Sequence, residues 1–235
     1  MQVSPSSPLE PRGAVAGPPP GRWLLLGLFV SLLAAPLVIG LFTVLHVPFT
    51  TWNIVLRELI VFGLGGVLAF IIRRKERLGW DSVGLERPAA GNTALWVLLT
   101  ILCIVPALAL ALVLIKLIAL PMGSPDAAAF DKLPMLVILL VVARAGFIEE
   151  FFYRGYAIDR LQRLSGSRFW SWSFPLVLFA VVHYRQGWAG ILIAFLTAAV
   201  LTAVYLRKRN LWINITAHFI VDFVPNILLP MFMAK

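Results

Sequence analysis

The chain has 235 residues, 60% of them hydrophobic and 13% charged, with a formal charge of +9 from 20 Lys and Arg against 11 Asp and Glu. One water-soluble core of this size could not hide so much apolar surface, which excludes an ordinary soluble domain and points to the lipid bilayer as solvent. The cations lie between apolar runs rather than in one patch, so they read as loop charges that orient a membrane protein, not as a nucleic-acid surface.

Residues 1–21, rich in Pro, Ser and Gly, lack the compact basic and apolar regions of a secretory leader and are predicted to be a disordered tail. Residues 22–235 then form a membrane-embedded helical domain. A spanning helix needs about 20 mostly apolar residues. The candidates are 23–46, 53–72, 93–120, 133–157, 172–186, 188–206 and 211–233. The fifth is short; Pro175 suits its first turn and Ser171 or Ser173 its cap, with Gly187 separating it from the sixth. The expected fold is therefore all-α: a polytopic transmembrane bundle of about seven spanning helices, within a range of six to eight.

Cations cluster in three alternate links: Arg73, Arg74, Lys75, Arg77 and Arg87; Arg160, Arg163 and Arg168; and Arg207, Lys208 and Arg209. The positive-inside rule places these links and the N-terminus in the cytoplasm. The single cysteine, Cys103, lies in an apolar run and has no partner for an internal disulfide.

A charge at mid-membrane costs roughly 2.5–3.5 kcal/mol on insertion scales, so ionisable residues inside these helices are candidates for function. The fourth helix holds Glu149 and Glu150, whose side chains point roughly 100° apart on an α-helix. Glu150 can pair with Arg154 four residues on, which leaves Glu149 free for chemistry. The fifth holds Phe179 and His183. The seventh holds Asn214, His218 and Asp222 at i,i+4 spacing, a polar stripe that should face the bundle interior. A single buried histidine most often makes only an interhelical hydrogen bond; two, with three carboxylates on neighbouring helices, point further. Arg57, Glu58, Lys116 and His46 read as structural or interfacial. Arg144, about 140° round an α-helix from Glu149, is expected to pair with a carboxylate on another helix, Asp222 or Glu58. Asn214-Ile215-Thr216 matches a glycosylation acceptor but falls inside a predicted span.

The ordered set Glu149-Glu150-x-x-x-Arg154, Phe179-x-x-x-His183 and His218-x-x-x-Asp222 resembles the CAAX protease and bacteriocin-processing (CPBP, or Abi) family of intramembrane endopeptidases. The resemblance covers about residues 141–226. It implies hydrolysis of a peptide bond in a membrane-associated, prenylated or otherwise lipidated substrate, with Glu149, His183, His218 and Asp222 catalytic and Glu150, Arg154 and Asn214 supporting them. Asp222, where the family's prenyl-protein enzymes carry Asn, leans towards the bacterial branch and a bacterial plasma membrane.

No Ser or Cys has a base beside it by motif, so a water nucleophile is expected. Glu149 is the expected general base, with His183 sharing or relaying the proton and positioning the water, His218 donating to the oxyanion, and Asp222 orienting His218 or itself protonated. The same four residues are zinc-ligand types, so a zinc-dependent variant stays open, although there is no His-Glu-x-x-His pattern. A non-catalytic membrane scaffold or immunity protein is a reading from a different class. A transporter is another, which the lack of internal repeats disfavours.

Overall fold

The structure, a computed structural model, describes residues 21–86, 90–122 and 125–233. The predicted tail, apart from Gly21, and Arg87 lie outside the described residues. Seven long helical segments follow one another: α1 (Arg22–Val44), α2 (Thr51–Lys75), α3 (Ala90–Leu117), α4 (135–165), α5 (Arg168–Val181), α6 (Gly187–Lys208) and α7 (Leu211–Met233). No strand occurs among the described residues. Apolar runs of this length close all their backbone hydrogen bonds within the segment, as hydrocarbon requires. Thr50, Ser167 and Asn210 cap α2, α5 and α7 by accepting from the N–H of Asn53, Trp170 and Trp212.

Five segments are long and apolar enough to cross a bilayer: α1, α2, α3, α6 with its preceding turn, and α7. Their outward faces carry Leu37, Leu41, Leu56, Leu98, Leu102 and Phe232, all exposed. The molecule is an integral membrane protein, since in water such a surface would drive aggregation. The other two predicted spans exist as helices, but α4 is interrupted by Arg144, Glu149 and Glu150, and α5 has only 14 residues.

Helix boundaries depart from expectation at one end of the bundle. The fourth helix runs on to Ser165 and stops at Gly166 in the left-handed conformation. The fifth starts at Arg168, so its cap is Ser167 rather than Ser171 or Ser173, and Pro175 sits in its interior. Residues 158–167, read as a basic link, are therefore mostly helix, and Arg160 is buried. Its guanidinium donates to Glu76 Oε2 (2.8 Å) and to the Ser82 carbonyl (2.8 Å), while the Tyr156 hydroxyl donates to Glu76 Oε1 (2.7 Å). Next to this knot Gly84 has φ +75°, and an added Cβ would fall 2.8 Å from the Arg209 carbonyl oxygen. Gly84 also accepts from the Leu211 N–H (2.8 Å), and Arg209 pairs with Asp159. These contacts gather all three basic links at one end of the bundle.

α3 packs on α6 and α7, and α5 packs on α6 and the basic end of α4. The core at that end contains Leu68, Phe152, Tyr156, Phe179 and Tyr205. α1, α2, α4 and α7 are not uniform α-helices: each contains a π-helical stretch, Val30–Ala34, Ile71–Lys75, Ala145–Glu149 with Phe151–Ala157, and Val224–Leu228. In α1 and α7 a proline, Pro36 or Pro225, lies at the stretch and supplies no backbone donor.

The cation rule assigns the end with the three basic links to the cytoplasm. Single cysteines at Glu86, Ser165 and Lys208, in a Cys103→Ser background, should resist a membrane-impermeant thiol reagent added outside intact cells. Ready labelling of any of them would reverse the orientation.

Candidate active site

Glu150 is the most enclosed carboxylate of the set, with no side-chain exposure. Its Oε1 accepts from Arg154 Nη1 (2.7 Å) and from His218 Nδ1 (2.9 Å), and its Oε2 accepts from Asn214 Nδ2 (3.1 Å). Arg154 reaches on to α6, donating to the Ala198 carbonyl (3.3 Å) and Thr202 Oγ1 (3.4 Å), and its guanidinium stands over the Phe179 ring at 4.5 Å. Asn214 donates also to the Leu201 carbonyl (2.8 Å). The sequence expectation that Glu150 pairs with Arg154 is met. So is the expectation that Asn214, His218 and Asp222 share an inward face, with His218 Nε2 3.5 Å from Asp222 Oδ2. Asp222 is the more open residue, its side chain 34% exposed.

Glu149 behaves differently. It keeps 18% side-chain exposure and pairs with Arg144, which in turn donates from Nε to Glu58 Oε2 on α2 (2.6 Å). The Arg144–Glu58 pair agrees with expectation. The Arg144–Glu149 pair does not, since five residues on an α-helix set two side chains well apart. The π stretch Ala145–Glu149 changes that, because its i→i+5 register lines up residues five apart. Nothing in the apolar pattern marks this stretch in the sequence.

His183 lies just beyond the end of α5, not inside the helix as predicted. Its own N–H turns to the Ala180 carbonyl (3.1 Å), which leaves the Phe179 carbonyl without its regular helical donor. The His183 ring takes that place, Nδ1 to Phe179 O at 2.7 Å. A carbonyl can only accept, so Nδ1 carries the hydrogen and Nε2 presents a lone pair. For His218 the Nδ1 partner is a carboxylate oxygen already accepting from a guanidinium, so Nδ1–H is again the donor. Both histidines thus anchor through Nδ1; the Nε2 of His183 has no hydrogen-bond partner among the described residues, while that of His218 faces Asp222.

The ring of Phe179 connects these groups. Its centroid lies 4.8 Å from the His183 ring, 6.3 Å from the His218 ring and 5.1 Å from Tyr153, which meets it edge-on. Tyr153 is in turn within electrostatic reach of Glu149. The sequence singles out Phe179 only as part of a motif and gives no sign of Tyr153; two aromatic residues in an apolar run carry no signal of their own. Among the described residues no hydrogen bond joins Glu149 to either histidine, so the two polar networks meet through the adjacent positions 149 and 150 and this aromatic packing.

A model of the family described as Type II CAAX prenyl endopeptidase Rce1-like matches residues 131–224. This segment is similar to the CAAX-protease family. The match covers less than half of the chain, from just before α4 to the π stretch of α7, and contains every site residue predicted from the sequence. Neither the curated proteins nor the solved structures give a significant match. α1 to α3 lie outside the matched segment, so Glu58, which reaches the site from α2, is a contribution that the family match does not address.

By residue type, Glu149, His183, His218 and Asp222 are also candidates for zinc. Among the described residues no three His, Cys, Asp or Glu side chains gather in a way that could hold a metal ion. Glu149 is turned to Arg144, while Nδ1 of each histidine is held by an acceptor, an arrangement that histidines also adopt when they bind metal through Nε2. It is the separation of the four side chains, not their chemistry, that does not fit a zinc site here.

Breaking a buried, hydrogen-bonded ion pair from one side costs about 3–5 kcal/mol. Glu150→Gln and Arg154→Gln should each lower stability by about that much, and the double variant by clearly less than the sum. Melting of the detergent-extracted protein checks this; additive losses would show that the two residues are not coupled.

Proposed function

We propose that this protein is an intramembrane endopeptidase, hydrolysing a peptide bond in a membrane-associated or lipidated substrate with water activated by Glu149. One observation carries the assignment of roles. Of two adjacent glutamates, Glu150 has both oxygens occupied in a site closed to water, whereas Glu149 remains accessible and has one oxygen, Oε2, without a hydrogen-bond partner among the described residues. A general base needs such a free lone pair within reach of the proton it removes.

In this reading Glu149 takes a proton from a water whose second hydrogen points to His183 Nε2. The hydroxide adds to the scissile carbonyl carbon. His218 holds Glu150 through Nδ1, and its Nε2–H, which faces Asp222 Oδ2 at 3.5 Å before substrate binds, turns to the oxyanion as that charge develops. Collapse of the intermediate breaks the C–N bond. The proton held by Glu149 passes to the leaving amine, which gives a new carboxylate and an amine terminus. Arg154 and Asn214 touch no reacting atom and act by holding Glu150.

Glu149→Gln keeps volume and hydrogen bonding but removes the base. It should reduce turnover of farnesylated and non-prenylated peptide tails by about 10²–10⁴-fold, with a smaller fall in melting temperature than Glu150→Gln, since Arg144 keeps Glu58 as a partner. Glu150→Gln should lose stability first and activity less completely. A stable, inactive Glu150→Gln beside an unstable, partly active Glu149→Gln would reverse the assignment. A chelator such as 1,10-phenanthroline should leave turnover unchanged. Loss that zinc restores would instead support a metal-dependent hydrolase, and cleavage of no peptide by the wild type would favour the scaffold reading.

A further inference from the structure

The pairs Arg57–Glu58 and Arg144–Glu149 form one line of alternating charge from α2 into the site. Arg57 donates twice to Glu58 Oε1 (2.7 and 3.0 Å), Arg144 Nε donates to Glu58 Oε2 (2.6 Å), and Arg144 Nη1 donates to Glu149 Oε1. The line holds two cations and two anions and so places no net charge in the apolar zone. Its ends differ. Glu58 is 1% exposed and both its oxygens are occupied, so nothing is left there for a ligand or for water. Glu149 has one oxygen held and one open.

We propose that Arg144 is a positioning residue for Glu149: anchored on α2 by Glu58, its guanidinium fixes one oxygen of the Glu149 carboxylate and leaves the other oxygen for water. The proposal rests on Glu149 being the base. The remaining charged and titratable groups around the stretch Ala145–Glu149 are Glu150, Tyr153 and Arg154 on α4, His183 after α5, and His218 and Asp222 on α7. Arg154 is committed to Glu150, and the histidines are held by Phe179 and Glu150, so Arg144 is the cation that faces Glu149. Without that guanidinium the carboxylate is free to turn, and a general base that is not held in line with its water loses much of its effect.

Dicyclohexylcarbodiimide, an apolar carboxyl reagent, reads whether the Arg144 guanidinium covers the Glu149 carboxyl group. The purified full chain in phosphatidylcholine vesicles is treated at neutral pH, and adducts at Glu149 are mapped by mass spectrometry. The wild type should resist labelling. Arg144→Gln should become labelled at Glu149, and Arg144→Lys should restore protection. On a farnesylated peptide tail, Arg144→Gln should lower kcat by about 10²-fold with KM nearly unchanged, and Arg144→Lys should recover part of it. Should Arg144→Gln fail to fold, Glu58→Gln removes only the anchor and should lower kcat without raising KM. Folded variants with Glu149 as unreactive as in the wild type and with full kcat would overturn the proposal and leave the endopeptidase standing. Labelling that follows Arg144, in a wild-type protein that cleaves no peptide, would overturn the endopeptidase reading while supporting control of Glu149 by Arg144.

Discussion

The arrangement of the site depends on one carboxylate that has no access to water. An ionised group in a low-dielectric interior is tolerated only when its acceptor sites are filled by donors. Glu150 meets that demand with donors from α4 and α7, and its partner Arg154 extends the network to α6. Three helices are thereby fixed in rotation and depth relative to one another. His218 is held by the same oxygen that holds Arg154, so the geometry of a residue that turns Nε2 towards Asp222 follows from the satisfaction of one that offers nothing. Lipid supplies no hydrophobic drive between helices, so such polar ties and close packing carry much of the specificity of assembly.

Much of this is legible in the sequence. The apolar runs locate seven helices to within a few residues along most of the chain, because the length of a spanning segment is set by the bilayer. The i,i+4 spacings in Glu150–Arg154 and His218–Asp222 translate directly into contacts. Three features are not legible. The π stretch of α4 brings Arg144 to Glu149, and its register depends on tertiary packing rather than on residue type. The position of His183 depends on where α5 begins, and a Ser-rich segment offers several caps for it. Arg160 looks like a loop cation because its partners, Glu76 and Ser82, belong to a link more than 70 residues earlier in the chain.

The knot around Arg160 does for the basic end what Glu150 does for the middle. Glu76 receives both Tyr156 and Arg160, and Gly84 lies against the turn between α6 and α7. The family match begins only at residue 131, yet the link after α2 is bound tightly to the matched helices, and Glu58 on the same helix reaches into their charged network through Arg144. The N-terminal half is therefore part of the site's framework rather than an appended anchor.

The shortness of α5 has a consequence for hydration. At about 1.5 Å per residue its 14 residues cover about 21 Å, against a hydrocarbon core of about 30 Å. A helix that stops short of spanning the hydrocarbon core needs cover at its end, because backbone outside a regular helix is tolerated in hydrocarbon only where protein covers it or water wets it. The His183 ring supplies one missing donor, to the Phe179 carbonyl; the turn that follows, half-exposed through residues 182–187, calls for solvent. A turn of this kind draws water by the backbone's own requirement, beside the imidazole to which the proposed mechanism gives the hydrolytic water, and a longer fifth helix would remove that requirement even with every polar side chain kept.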